Sequence, residues 1–164
     1  MKFSCILFFG FVACAEPPPD YILDSGMGVY DPHHMSNKTE LDVIVNLIIQ
    51  LAPEAERPKI LPFLSYGTLT IDPNKTLKEE QCGKADNEEE ETVGCASGGG
   101  DILVAWRTCE DYYPTAGIMA HEIGHIIGYW DHTNPWFGED YSKGNRKGSM
   151  EFKLWEEICG LDLP

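Results

Sequence analysis

Two histidines and a glutamate lie within five residues of each other, in the run His121-Glu122-Ile123-Gly124-His125. On a helix, a spacing of four residues places both imidazoles on one face, where they can ligate a single tetrahedral Zn²⁺ ion. Glu122 lies about 100° around the helix axis. There it can accept a proton from a water on the metal and later deliver it to a leaving amine. The pattern predicts one catalytic zinc ion and a hydrolytic reaction, with two ordinary, partly buried histidines as the alternative.

The residues after His125 contain a turn and two candidates for a third metal ligand. Gly128, three residues on, can adopt the left-handed conformation that ends a helix and turns the chain back. Asp131 and His132 follow it. Neighbouring residues in an extended chain project to opposite sides, so we expect only one of these two to face the metal.

The extended motif resembles the metzincin clan of zinc peptidases and is most similar to the snapalysin family. It is His121-Glu122-x-x-His125-x-x-Gly128-x-x-Asp131, followed directly by His132. The resemblance covers roughly residues 101 to 155 and implies that Asp131 is the third ligand, with His132 as the alternative. It also implies a methionine turn that forms an apolar floor under the metal, and Gly148-Ser149-Met150 is well placed for it.

The resemblance further implies a substrate class. In the clan, an extended peptide lies antiparallel to the edge strand before the active helix, and Ile102 to Trp106 is the segment in that position here. Main-chain pairing of this kind accepts many sequences, so protein or peptide substrates are expected. Two features depart from the pattern. The stretch from Thr133 to Gly148 is longer than its equivalent in snapalysin, and Phe152 replaces a tyrosine of several relatives, which removes a hydroxyl from that side.

The N-terminal residues have the composition of a secretory signal peptide. Lys2 precedes a nearly unbroken apolar stretch from Phe3 to Val12, and Ala13-Cys14-Ala15 is a cleavage pattern. We expect residues 1–15 to be the signal peptide and residues 16–164 to be one metallopeptidase domain of a secreted, extracellular protein. The apolar stretch is about half of the roughly 20 residues that a membrane span needs, so no span is expected.

Secretion exposes the cysteines to an oxidising compartment. Two of the six cysteines lie in the predicted signal peptide. The remaining four predict two disulfides with three possible pairings, of which we favour Cys82–Cys95 and Cys109–Cys159. A thiolate-bound structural zinc is the alternative, but the sequence has no C-x-x-C spacing.

The formal net charge is -15, which repels a phosphate backbone and excludes nucleic acid as a partner. Much of this charge lies in residues 86–91, which we interpret as a solvated loop, with a Ca²⁺ site as the alternative. Asn37 and Asn74 begin glycosylation sequons, so both are candidate glycosylation sites. We expect a monomer.

The order of elements predicts an α+β fold. The resemblance makes this a minimal metzincin-like fold with a twisted mixed sheet, two long helices, the active-site helix, the methionine turn and a C-terminal helix. The hydrophobic patterns predict strands at Tyr21–Leu23, Lys59–Tyr66, Thr68–Ile71 and Asp101–Trp106, and helices at Thr39–Leu51, with Thr39 as the cap, at Thr115–Ile127 and at Glu151–Cys159.

The leading functional hypothesis is a secreted zinc-dependent endopeptidase. The alternative is a catalytically weak zinc protein that acts by binding a partner; Glu122 argues against it, because a binding module needs no base there. A gluzincin-type enzyme with Glu151 or Glu156 as the third ligand is a further alternative. Gly128 and Asp131 argue against that one, because such enzymes need no tight turn after the first helix.

Overall fold

A five-stranded mixed sheet forms the centre of the molecule. The structure is a computed structural model, and it describes residues 4–8, 11–82, 91–111, 114–128 and 150–160. The strands are β1 (Ser4–Phe8), β2 (Phe11–Ala15), β3 (Tyr21–Ile22), β4 (Gly28–Tyr30), β5 (Thr68–Asp72), β6 (Gly94–Ala96) and β7 (Asp101–Ala105). The central sheet has the order β3-β4-β5-β7-β6, and β1 pairs only with β2 in a separate antiparallel sheet. Strands β4, β5 and β7 are parallel, while β3 and β6 are antiparallel to their neighbours.

Helix α1 (Lys38–Leu51) follows β4 and packs its apolar face into the core. Leu41, Ile44, Val45 and Ile48 recur at helical spacing and are all buried. The sequence predicted this helix, but the cap differs. The side chain of Asn37, rather than Thr39, accepts a hydrogen bond from the Glu40 backbone N–H at 2.9 Å.

The prediction of a strand at Lys59–Tyr66 is wrong, because these residues belong to helix α2 (Arg57–Tyr66). Ile60, Phe63 and Leu64 are buried and lie three and four residues apart, which suits one face of a helix. Arg57 fixes the start of α2, because its guanidinium donates to the carbonyls of Ala52 and Gln50 at the end of α1.

Three more helices complete the described part of the chain: α3 (Glu79–Cys82), α4 (Thr115–Ile126) and α5 (Met150–Cys159). Ile118, Met119 and Ile123 of α4 are buried in the same core as Val104 of β7 and Leu154 of α5. The order of helices and strands confirms an α+β fold. No helix in the residues that the structure describes is long and apolar enough to cross a membrane.

Two disulfides are present among the described residues, and they are the pairs that the sequence favoured. Cys82 bonds to Cys95, and Cys109 bonds to Cys159. The first joins the short helix α3 to strand β6. The second joins the segment between β7 and α4 to the end of α5.

Candidate active site

A threonine clamp positions the start of helix α4. The Thr115 hydroxyl accepts a hydrogen bond from the Arg107 backbone N–H at 2.8 Å and lies 3.2 Å from the Ala105 carbonyl, to which it donates. The Thr115 backbone N–H also donates to the Arg107 carbonyl at 3.1 Å. Since Ala105 ends β7, these bonds fix the helix relative to the sheet. Thr115 was predicted only as the first residue of this helix, because a threonine at a helix start is common.

Helix α4 brings the two predicted histidine ligands together. The Nε2 atoms of His121 and His125 are 3.0 Å apart, and their rings meet edge to face with centroids 4.6 Å apart. Both side chains are half-buried. Two nitrogens that bind one tetrahedral zinc ion at 2.0–2.1 Å are about 3.4 Å apart, so a small change in side-chain torsion would accommodate the ion. The donor set and its spacing fit zinc.

Glu122 lies on the same helix and is 4% exposed. Its side chain faces β6, where the backbone of Gly94 approaches it closely. A Cβ atom built on Gly94 would lie 2.6 Å from Glu122 Oε1. The carboxylate is therefore held between helix α4 and strand β6 at the end of the sheet. Gly94 carries no recognisable sequence signal, and the sequence analysis missed it.

Helix α4 ends as the sequence predicted. The Gly128 N–H donates to the His125 carbonyl at 3.0 Å, and Gly128 has φ +97°, in the left-handed region that glycine adopts without strain. Gly128 lies three residues after the second histidine. Its conformation is compatible with a chain that returns toward the histidine pair.

The remaining predicted site residues lie outside the described residues or at the start of α5. Asp131 and His132 lie outside the described residues, as do Gly148 and Ser149. Met150 is the first residue of α5, but its side chain is not among those described. Within the described part of the chain, no group of three His, Cys, Asp or Glu side chains could hold a metal ion. Glu156, a candidate ligand in the gluzincin alternative, is exposed on α5.

The edge of the sheet is not where the sequence placed it. Strand β7, which contains most of the segment from Ile102 to Trp106, lies between β5 and β6 and is therefore internal. The edge strand beside the active helix is β6, whose Gly94 pairs with Val104. The clearest hydrophobic strand is internal because internal strands are buried on both faces, whereas a short strand with small residues is typical of an edge.

The candidate glycosylation sites lie on the surface of the molecule. Asn37 and Asn74 are both exposed, as glycosylation requires. Residues 86–90 of the acidic loop, and with them the Ca²⁺ alternative, lie outside the described residues.

Comparison with known proteins gives one partial relationship. The chain is 33% identical over 84 residues to a protein named zinc metalloproteinase nas-30 from Caenorhabditis elegans. The matched region covers 43% of this chain and 11% of that protein. The chain thus spans about a tenth of that relative's length. No protein-family model matches the chain, and no solved structure matches it. These comparisons support a relationship to metalloproteinases and give no support to the snapalysin family in particular.

Proposed function

We propose that this chain is a secreted zinc-dependent endopeptidase. The observation that carries the proposal is the pair of imidazole nitrogens, 3.0 Å apart, on the same helix as a buried glutamate. The similarity to a zinc metalloproteinase supports the same assignment. The disulfides Cys82–Cys95 and Cys109–Cys159 are consistent with a secreted protein.

In the proposed site, His121, His125 and Asp131 hold the ion, with His132 as the alternative to Asp131. Zinc, when bound, acts as a Lewis acid on the scissile carbonyl and makes water more acidic. Glu122 accepts the proton of the attacking water and passes it to the leaving nitrogen. Its burial beside Gly94 limits the contact of the carboxylate with solvent.

The sheet edge offers a place for the substrate backbone. Strand β6 pairs with β7 on one side, and no other described strand pairs with it. An extended peptide that adds to this edge forms main-chain hydrogen bonds, which tolerate many side chains. We therefore propose protein or peptide substrates, bound along Gly94–Ala96 rather than along Ile102–Trp106.

A combined zinc and cleavage experiment tests the proposal. Purified protein should contain close to one zinc ion per chain and should cleave casein, an unstructured substrate. A chelator such as phenanthroline should stop cleavage, and added zinc should restore it. Stoichiometric zinc without cleavage would favour the alternative of a binding protein, and absence of both would remove the enzyme assignment.

A further inference from the structure

We infer that Gly94 is a positioning residue for Glu122: strand β6 lacks a side chain at this point because Ile118 and Glu122 of α4 occupy the space. The inference deepens the proposed function and rests on it for its catalytic consequence. The contact itself is a property of the fold and is measurable without any cleavage.

Space, rather than backbone conformation, accounts for the glycine. Gly94 is not among the described glycines that adopt a positive φ, so an L-amino acid meets no backbone strain there. A Cβ at this position would lie 2.6 Å from Glu122 Oε1 and 3.1 Å from Glu122 Cγ, and closer still to Ile118 Cγ2. A relaxed contact between such atoms is about 3.5 Å, so an added methyl group must displace something.

The strand has little freedom to retreat. The backbone carbonyl of Val93, just before Gly94, accepts a hydrogen bond from the Ala105 N–H at 2.8 Å. Cys95, just after it, is bonded to Cys82. Gly94 is thus held on both sides by bonds that an outward shift of the strand would break or strain.

Of the two side chains that the methyl group would meet, Glu122 is the one that can move. Ile118 is 2% exposed and packed in the core, and a β-branched side chain on a helix has one strongly preferred χ1 rotamer. Glu122 has an unbranched side chain, and its atom that lies closest to the added Cβ is the terminal Oε1. Substitution of Gly94 therefore pushes the carboxylate away from its present position while both histidines stay in place.

Gly94→Ala should lower kcat for casein at least about tenfold, because misplacement of a catalytic group by about 1 Å can cost about a hundredfold. Zinc content should be retained, because the atoms nearest to the new methyl group belong to Ile118 and Glu122 and not to the histidines. KM should change by less than about threefold, because a substrate on strand β6 pairs with its backbone N–H and C=O groups, which the methyl group leaves in place. A residue with a purely structural role would not produce this split between kcat and KM.

Two glycine variants serve as matched controls. A Cβ on Gly98 would meet nothing within 4 Å, so Gly98→Ala should change neither stability nor kcat. A Cβ on Gly67 would collide with Phe63 and lie 2.8 Å from the Gly100 carbonyl, at the opposite end of β7 from Gly94. Gly67→Ala should therefore lower stability but leave the kcat of the folded protein unchanged.

The contact is tested independently by a double-mutant cycle on thermal unfolding of chelator-treated protein, in which bound zinc makes no contribution. Gly94→Ala should lower Tm by roughly 3–10 °C, the scale of core overpacking. In a Glu122→Ala background, at least roughly half of that loss should disappear. If Gly94→Ala does not fold alone, recovery of folded protein in the double variant supports the same conclusion.

Either of two results overturns the inference. An equal loss of Tm in both backgrounds, or failure of the double variant to fold, assigns the collision to Ile118 and the strand instead of Glu122. Unchanged kcat in active Gly94→Ala protein shows that the carboxylate is not displaced. If no variant or parent protein cleaves casein but the cycle shows coupling, the proposed function fails while the contact stands.

Discussion

Two buried carboxylates in this molecule have different surroundings. Asp31 is 0% exposed and Glu122 is 4% exposed. Asp31 lies after β4, and its two oxygens accept hydrogen bonds from the Met35 N–H, the Ser36 N–H and the Ser36 hydroxyl at 2.8–2.9 Å. All three donors belong to the loop that follows Asp31, so this carboxylate stabilises the conformation of that loop.

Glu122 is buried by a different arrangement. It stands on helix α4 beside two histidines, and across from it is the backbone of a strand with no side chain at Gly94. Burial alone therefore does not distinguish a structural carboxylate from a catalytic candidate. The distinction lies in the surroundings, namely hydrogen-bond donors from its own loop for Asp31 and two candidate metal ligands on the same helix for Glu122.

Of the carboxylates compared, Glu122 is expected to show the largest effect on turnover when it is replaced. Glu122→Gln should lose at least about a hundredfold in turnover, the scale of a lost general base. Zinc content should stay near that of the parent protein, because the glutamate is not a ligand in the proposed site. Casein cleavage and metal analysis on the same preparation measure both, and loss of zinc in this variant would contradict the assigned role.

The third ligand decides the charge of the site. Two neutral imidazoles and one carboxylate leave a zinc centre with a formal charge near +1, which acidifies water less than a centre with three histidines. Asp131→Ala should lower zinc occupancy and abolish casein cleavage. The matched variant His132→Ala should retain zinc and at least part of the activity, and the reverse pattern would assign the ligand to His132.

Asp31 should show the opposite profile to Glu122. Asp31→Ala should lower the free energy of unfolding by about 2–4 kcal/mol, because it removes the acceptor of three hydrogen bonds from partly buried donors of Met35 and Ser36. Zinc content and kcat of the folded protein should not change. Asp24→Ala is the control, since Asp24 is an exposed partner of Lys38 and should cost less than about 1 kcal/mol. Equal losses in the two variants would contradict the role of Asp31.

A third carboxylate, Asp111, should show the smallest effect. The side chain of Lys75 and then the Thr108 backbone N–H donate to it and lower its pKa below the ordinary value of 3.8. Because this pKa is lower in the folded protein, the ionised carboxylate stabilises the fold above pH 3.8. The stabilisation is lost as the pH falls through the folded-state pKa. Asp111→Asn should therefore lower Tm by at most a few degrees at neutral pH, and the two proteins should converge in acid. A Tm difference that grows as the pH falls would contradict this linkage.

Much of the fold follows from local patterns. Helix α1, strands β5 and β7 and helix α4 were predicted because their apolar residues repeat at the spacing of one element. Helix α2 was predicted as a strand. Its apolar residues, Ile60, Leu61, Phe63 and Leu64, are so close together that their spacing does not distinguish a helix from a strand. Its helical state depends on burial of Ile60, Phe63 and Leu64 against the rest of the core.

The sequence by itself determined that His121 and His125 lie on one face of a helix, because residues four apart on a helix share a face whatever surrounds them. It also predicted the end of α4 at Gly128, since glycine adopts the left-handed conformation without the steric cost that other residues meet. Only the tertiary structure decided that β6 is the edge strand and that Gly94 lies against Glu122. These two residues are far apart along the chain, and strand order is set by long-range pairing that no local pattern contains.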